Sequence, residues 1–318
     1  MQLDNVSVYL DLALVYTALN RVQEAKSTLN EALARKFEDG SLRTQIYYVA
    51  FLQGDAAQMA QQLAWAAGKP GDEDLLLSTQ SDTEAYFGRM SKARQFSRRA
   101  VDSAVRAGAK ETAAFWQINA ALREAELGNA ALSRQGVAAA LQLSQDRDVK
   151  VLSALALART GDTARAGALA EDVERSNPAN SLLKLYWLPA IHAGIQISKA
   201  NASQAIADLE PATPYELGVA QTSINYIYPA YVRGHAYLLA KNGAAAAAEF
   251  QKLLDHRGIV TNFVTGALVH LQLGRAEAMA GDTAKAKAAY QEFFTLWKDA
   301  DPDVPILKQA KAEFAKLQ

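Results

Sequence analysis

The sequence of 318 residues contains no cysteine and few aromatic residues. Without cysteine the chain cannot form a disulfide, a thiolate metal site or a cysteine nucleophile. Half of the residues are hydrophobic although only 8% are aromatic, so alanine supplies much of the apolar content. A lack of cysteine is compatible with a cytoplasmic and with an extracytoplasmic location, so cysteine content does not identify the compartment.

An excess of charge and a long apolar run are also missing. The 33 basic and 34 acidic residues leave a net charge of −1 and form no long run of one sign. This balance argues against a nucleic-acid surface and against a polybasic membrane anchor. No apolar run reaches the roughly 18 residues that a membrane span needs, and residues 1–14 lack the features of a signal peptide. We therefore expect a soluble chain that neither binds nucleic acid nor inserts into a membrane.

Motifs of known enzyme classes are absent as well. The sequence has no G-x-G-x-x-G, Walker, G-x-S-x-G or H-E-x-x-H motif, and it lacks the motif set of a protein kinase. His256-Arg257-Gly258 resembles part of a kinase catalytic loop, but glycine cannot accept a proton, so we interpret Gly258 as a helix end. Ser181 begins an S-x-x-K pattern without its companion motifs, which favours a helix start. The four histidines lack metal-ligand spacing. We expect no catalysis, no cofactor and no metal.

What the sequence does contain is a recurring turn. The signature is Gly-Asp, Gly-Asn or a similar pair, and its steps along the chain are 34, 34, 40, 33, 40, 42 and 38 residues. Its positions are Asn20, Gly54, Gly88, Gly128, Gly161, Asn201, Gly243 and Gly281. Self-similarity at such a period indicates a repeat architecture.

Helical patterns flank these turns. In the first unit, residues 9–16 carry apolar side chains at i, i+3, i+4 and i+7, and residues 25–32 form a second stripe after the turn. Alternating patterns typical of strands are missing. One helical hairpin cannot bury both of its faces alone, so such hairpins must stack on one another. The sequence therefore predicts an all-α fold.

Particular residues recur at equivalent positions of the hairpins. The matching sets are Leu12, Ala13, Tyr16, Ala25 and Ala32; Gly161, Ala166 and Pro178; Gly234, Tyr237, Ala246 and Phe250; and Leu273, Gly274, Ala286 and Tyr290. This pattern resembles the tetratricopeptide repeat (TPR) family, and the resemblance implies a superhelical solenoid of about eight helix-turn-helix repeats. Met59 and Ser133 stand where the family has alanine, and the register of the second, third, fourth and sixth units rests mainly on spacing.

We predict a single solenoid over residues 1–318. Its repeats are expected at 5–37, 42–68, 74–107, 112–145, 149–177, 182–211, 229–257 and 266–300, with a capping helix at 304–317. The connection at 210–229 is the least regular, and it is a candidate functional loop. Within the alanine run 244–248, Ala246 is expected at the closest crossing of its two helices, opposite Gly234, whereas its neighbours are less restricted.

A narrower resemblance concerns the C-terminal third of the chain. Residues 228–318 and 186–195 resemble the C-terminal repeat region of membrane-anchored bacterial serine/threonine protein kinases. This resemblance implies the sensory or interaction module of a bacterial signalling protein, and the first repeat close to Met1 suggests a fragment or a lone module. The alternatives are a regulatory fragment of a kinase whose catalytic domain is not in this chain, an oligomerisation module, and a small-molecule sensor near residues 210–229.

The TPR resemblance also implies a binding surface on the concave face, which the first helix of each repeat lines. The candidate residues are Tyr48, Phe51, Tyr86, Phe115, Arg159, Trp187, Tyr231, His235 and Arg275. Aromatic and arginine side chains are frequent anchors of protein and peptide binding, so we expect a protein or peptide partner. The alternative for each aromatic residue is packing between repeats. The Lys and Asn clamp that grips chaperone tails in this family is missing, and the oligomeric state stays open.

Overall fold

The computed structural model describes residues 5–218 and 227–317, and regular structure there is helical. The helices are α1 (Val6–Ala18), α2 (Val22–Ala34), α3 (Gly40–Gln53), α4 (Ala56–Ala66), α5 (Asp72–Tyr86), α6 (Met90–Arg106), α7 (Lys110–Glu126), α8 (Ala130–Leu143), α9 (Arg147–Arg159), α10 (Thr163–Ser176), α11 (Leu188–Ser198), α12 (Ala202–Asp208), α13 (Tyr228–Leu239), α14 (Gly243–Asp255), α15 (Arg257–Val260), α16 (Val264–Ala280), α17 (Thr283–Leu296) and α18 (Pro305–Ala315). A π-helical turn, Leu183–Trp187, leads into α11, and a 3₁₀ turn, Glu210–Ala212, follows α12. Among the described residues, no helix is both long and apolar enough to cross a membrane.

Consecutive helices form hairpins that stack in chain order. The pairs are α1–α2, α3–α4, α5–α6, α7–α8, α9–α10, α11–α12, α13–α14 and α16–α17. The second helix of each pair also packs against the first helix of the next pair. The chain is therefore an all-α, TPR-like solenoid, as the sequence predicts.

The turn signature has a simple physical origin. In Gly54-Asp55 and Gly281-Asp282, the glycine is left-handed, with φ of 72° and 88°, which costs glycine no steric penalty. The aspartate that follows accepts a hydrogen bond from the backbone N–H three residues on, at 2.9 Å and 3.0 Å. This side chain caps the next helix and satisfies one of its free N–H groups. The pair thus reverses the chain in two residues and starts the second helix.

Two of the turns lie one and two residues earlier than the sequence pattern indicates. The left-handed residues there are Ala200, with φ of 58°, and Lys241, with φ of 60°, followed by the capping residues Asn201 and Asn242. Placing this turn position at Gly243 was wrong, because Gly243 is already the first residue of α14. A residue other than glycine pays about 1–2 kcal/mol for this conformation. Because alanine and lysine occupy these two positions, the sequence has no glycine there that would mark the turn.

The helix crossings explain the glycines on the first helices of the last two repeats. A Cβ atom on Gly234 would lie 2.5 Å from Cε1 of Phe250, and one on Gly274 would lie 2.7 Å from Cδ2 of Tyr290. Gly234 therefore lies against the aromatic ring of Phe250 on α14, and its predicted position opposite Ala246 stays a prediction. Ala246 is itself fully buried. The recurring small and large residues are thus a steric match between the two helices of a hairpin.

The last repeats return to the first ones. α16 packs against α5 and α7, and α15 packs against α1. Asn262 Nδ2 donates to the carbonyl of Thr79 at 2.8 Å and to Oγ1 of Thr83 at 2.9 Å, both on α5. Trp297 Nε1 donates to the carbonyl of Tyr86 at 2.9 Å. These contacts close the superhelix on itself, so part of its inner face is covered by its own C-terminal repeats.

Gly258 has a different place from the predicted helix end. It lies inside the short α15, and its N–H donates to Oδ1 of Asn20 at 2.8 Å. A Cβ atom there would lie 1.6 Å from the carbonyl oxygen of Thr17. Asn20 in turn donates its Nδ2 to the carbonyl of Asp255 at 2.6 Å. Gly258 is therefore a point of close approach between the first and seventh repeats.

The predicted functional connection at 210–229 lies partly outside the described residues, since 219–226 are not among them. Before that gap, Glu216 is buried and accepts hydrogen bonds from Arg233 and Lys252. Arg233 also donates to Glu249 at 2.8 Å. The start of this connection is thus fixed to α13 and α14 by ion pairs.

We expect Ala246→Leu to destabilise the protein more than Ala244→Leu. Ala246 is fully buried, so a larger side chain overpacks the crossing and lowers the free energy of unfolding by about 1–3 kcal/mol. Ala244 is exposed and its replacement should cost little. Urea unfolding of both variants measures the difference. Equal costs would show that the steric limit at Ala246 does not exist.

We also expect Gly258→Ala to open the contact between the first and seventh repeats. The added methyl group would overlap the carbonyl of Thr17, so the free energy of unfolding should fall by about 1–3 kcal/mol or more. Gly167→Ala is the matched control, because a Cβ atom there meets nothing within 4 Å and alanine favours a helix by about 0.5–1 kcal/mol. A Gly258→Ala protein as stable as the wild type would contradict the closed arrangement at this point.

Candidate interaction surface

The nine predicted surface residues divide into buried and half-buried side chains. Phe51, Tyr86, Trp187 and Tyr231 are only 8%, 7%, 6% and 0% exposed. The half-buried residues are Tyr48, Phe115, Arg159, His235 and Arg275. The four buried aromatic side chains belong to the hydrophobic core, so a partner reaches them only if the surrounding helices move.

Phe51 and Tyr86 form one aromatic group between α3 and α5. Their ring centroids are 5.0 Å apart and nearly perpendicular, which is a favourable geometry for aromatic pairs. Phe87 extends the group, with its ring 5.3 Å from that of Tyr86. The C-terminal repeats cover this group, because a Cβ atom on Gly266 of α16 would lie 3.0 Å from the Tyr86 ring.

Tyr231 and His235 form a second group, one turn apart on α13. Their ring centroids are 4.8 Å apart, and the ring of Phe250 lies 6.0 Å from Tyr231 and 5.7 Å from His235. Burial, together with the nearby charges of Arg159 and Arg275, lowers the pKa of His235 well below its usual value. Burial also raises the pKa of Tyr231. Both rings are therefore neutral at pH 7.

A buried ion pair lies beside this group. Arg159 on α9 donates Nε and Nη2 to the two carboxylate oxygens of Glu126 on α7, both at 2.8 Å. Tyr228 donates its hydroxyl to the same carboxylate, and the Arg159 guanidinium lies 5.8 Å from the ring centroid of Tyr231. Although burial disfavours the charged arginine, the charge of Glu126 raises the pKa of Arg159 above its usual value. The structure thus brings together Arg159, Tyr231 and His235, three of the predicted residues.

Arg275 holds the C-terminal helix in place. It donates Nε and Nη2 to the carboxylate of Glu313 on α18, at 2.8 Å and 2.9 Å. Tyr290 on α17 donates its hydroxyl to the same carboxylate at 2.9 Å. Glu313 therefore ties α16, α17 and α18 together. The guanidinium groups of Arg159 and Arg275 are therefore both paired within the chain.

The remaining predicted residues lie apart from this cluster. Phe115 packs its ring 5.4 Å from that of Trp116, near the start of α7. Trp187 packs 4.9 Å from Tyr186 in the π-helical turn. Tyr48 lies beside Tyr47 on α3, and burial raises its pKa to about 12.

Sequence reasoning missed the buried charges of α5 and α7. Arg123 is nearly inaccessible and donates hydrogen bonds to Asp82, Ser81 and Ser97. Asn119 also donates to Asp82, at 3.0 Å. Acidic and basic residues at such helix positions are usually solvated, so their types alone gave no signal of burial. The helical period places Asp82 on the inner face, and a charged residue at such a position was the one indication in the sequence that a buried ion pair exists.

The arrangement has the chemistry of a structural network. Each arginine described above is within ion-pair distance of a carboxylate, and most of these carboxylates are themselves buried. Within residues 5–218 and 227–317, no three His, Asp or Glu side chains are grouped so that they could hold a metal ion. The charged side chains of the inner face therefore bind one another, which fixes the helices relative to each other.

Comparisons with known proteins identify no family for this chain. No family model matches the chain, and no curated protein matches it. One similar solved structure is described as the crystal structure of the P58(IPK) TPR domain. It is 12% identical, and the match covers 98% of each chain with a TM-score of 0.30. At that score the similarity does not decide the architecture, which follows from the helix pairing itself.

We expect Glu126→Gln to be strongly destabilising. It leaves the buried Arg159 without a counter-charge, which should lower the free energy of unfolding by about 3–5 kcal/mol. The double variant Glu126→Gln with Arg159→Gln should lose less than the sum of the two single changes, because no unpaired charge remains. Glu24→Gln, in the exposed pair with Arg21, is the control and should change little. Additive losses in the cycle would show that the two side chains are not coupled.

Proposed function

We propose that the chain is a non-catalytic scaffold that binds a protein or peptide on the inner face of its solenoid. The observation that carries this proposal is the stack of helical hairpins, whose first helices follow one another along one face. Stacked repeats create extended binding surfaces of this kind. We propose that the whole chain acts as one such unit.

The C-terminal repeats limit which part of this face a partner can reach. Contacts of α16 with α5 and α7 cover Tyr86 and its neighbours. Among the predicted aromatic residues, Tyr48 on α3 and Phe115 on α7 keep part of their surface exposed. Aromatic side chains that are partly exposed on a rigid helix suit the role of binding anchors. We therefore place the partner site at these two residues, and we keep Arg159, His235 and the buried aromatics as residues that shape the face from inside.

The narrower role is a proposal that rests on the resemblance of residues 228–318 to kinase-associated repeats. In that role the chain is the sensory or interaction module of a bacterial signalling protein. A regulatory fragment of a serine/threonine kinase is the second candidate, and a longer reading frame with kinase motifs upstream would support it. Both roles use the same protein-binding surface.

We expect the double variant Tyr48→Ala with Phe115→Ala to lose partner binding. Tagged full-length chains are incubated with an extract of the source cells, and the bound proteins are measured by quantitative mass spectrometry. A genuine partner should be recovered with the wild type and reduced at least about tenfold with the variant, as expected when anchors worth about 2 kcal/mol or more are removed. Circular dichroism and thermal unfolding verify that the variant is folded.

The matched control is Leu132→Ala with Val105→Ala. Both residues are apolar and exposed, at 44% each, and neither belongs to the predicted inner face or to the 210–229 connection. This control should recover the partner as the wild type does. Equal recovery by all three proteins would overturn the inner-face site, and loss with the control would assign binding to another surface.

A further inference from the structure

The first helix exposes an apolar stripe at the N-terminal end of the solenoid. Leu12, Val15 and Leu19 are 40%, 47% and 61% exposed. With the half-buried Val8 they follow the spacing 4, 3, 4, which is the seam along which two helices pack in a coiled coil. The opposite side of α1 is also apolar, with Tyr9 and Ala13 in the core. A helix that is apolar on both sides is normally covered on both sides.

The neighbours of α1 differ from those of the first helices in the later hairpins. Every later hairpin has its first helix covered by the second helix of the hairpin before it. α1 has no such neighbour among the described residues. A helix surface that faces solvent is normally polar, yet Asp11 is the only charged residue of α1. The stripe therefore has the composition of an internal repeat contact.

The other end of the solenoid carries a trough between α17 and α18. Its volume is about 360 Å³, and its lining includes Phe294, Trp297, Leu307 and Phe314. The charged residues of the lining are two cations, Lys298 and Lys311, and it includes no carboxylate. Neither ammonium lies within ion-pair distance of a carboxylate among the described residues.

We propose that α1 of one copy of this chain docks in the α17–α18 trough of a second copy. The pairing places the apolar stripe against the half-buried rings of Phe294 and Phe314 and brings Asp11 close to Lys298 and Lys311. It also repeats the packing inside the chain, where the first helix of one hairpin lies against the second helix of another. Such head-to-tail contacts build rings or open filaments. The proposal concerns a different surface from the inner face and does not depend on the proposed function.

Pairing of two α1 helices is the competing arrangement. It would bury the stripe, but it would bring no cation to Asp11 and would leave the trough of each copy uncovered. The head-to-tail contact covers the stripe of one copy and the trough of the other, and it pairs Asp11 with the lysines of the trough. The two arrangements predict different behaviour of variants that are blocked at one end.

Two such variants test the proposal. The first, Leu12→Glu with Val15→Glu, blocks the stripe, and the second, Lys298→Glu with Lys311→Glu, reverses the charge of the trough. In sedimentation velocity, the wild type should exceed its monomer mass of 34.3 kDa increasingly as its concentration rises. Each variant alone should remain a monomer. An equimolar mixture should form a complex of one copy of each, with twice the monomer mass and no larger species, because one stripe and one trough remain intact.

Matched controls introduce the same changes of charge and polarity at residues outside the stripe and the trough. Val105→Glu with Leu132→Glu replaces two other exposed apolar residues, and Lys92→Glu with Lys184→Glu reverses two other exposed lysines. Both control proteins should associate as the wild type does. A further variant that combines Asp11→Lys with the two trough changes should regain association, because the charges are exchanged. Circular dichroism verifies the fold of every protein.

Three results would overturn the proposal. A wild type that stays monomeric at all concentrations would show that the stripe is not covered by a second copy. A trough variant that still forms dimers would indicate α1–α1 pairing. A mixture of the two blocked variants that stays monomeric would show that stripe and trough do not meet.

Discussion

The close approach of the two helices in each hairpin is the constraint on which the rest of the structure depends. Where Gly234 meets Phe250 and Gly274 meets Tyr290, a single added Cβ atom would come within 2.7 Å of an aromatic carbon. The two-residue turns are equally tight, because a left-handed residue is followed at once by a capping side chain. Short turns and small crossing residues together make each hairpin rigid enough to stack on the next.

Stacking alone would leave an open superhelix, and here the C-terminal repeats close it. Asn262 reaches the backbone of α5, and Trp297 reaches the carbonyl of Tyr86. Glu126 and Arg159 also lie in the interior, where each needs the charge of the other. Part of the inner face is therefore covered by the C-terminal repeats of the chain and is not accessible to a partner. What stays accessible is the rim of the inner face and the two ends of the solenoid.

The fold was largely predictable because its signals are local. Periodic apolar residues and Gly-Asp pairs such as Gly281-Asp282 indicate helices and turns within a few residues of one another. The predicted turn position was wrong at Lys241, because a lysine does not indicate the left-handed conformation that this residue adopts. The candidate site was less predictable. Tyr231 has the composition of a binding anchor, but only its neighbours Phe250 and His235 decide that it is core.

The sequence by itself determined the helical hairpins, their order and the small residues at their crossings. Each of these depends on contacts between residues that are close along the chain. Only the tertiary structure decided that Arg159 is paired with Glu126, that Gly258 lies against Thr17, and that part of the inner face is covered. Arg159 and Glu126 belong to neighbouring repeats, but only the packing of α7 against α9 brings their charges together. The contact of Gly258 and the covering of the inner face join repeats that are far apart in sequence, and they depend on the curvature that accumulates over the stacked hairpins. No single repeat encodes that curvature, so no local pattern could reveal where the chain would meet itself.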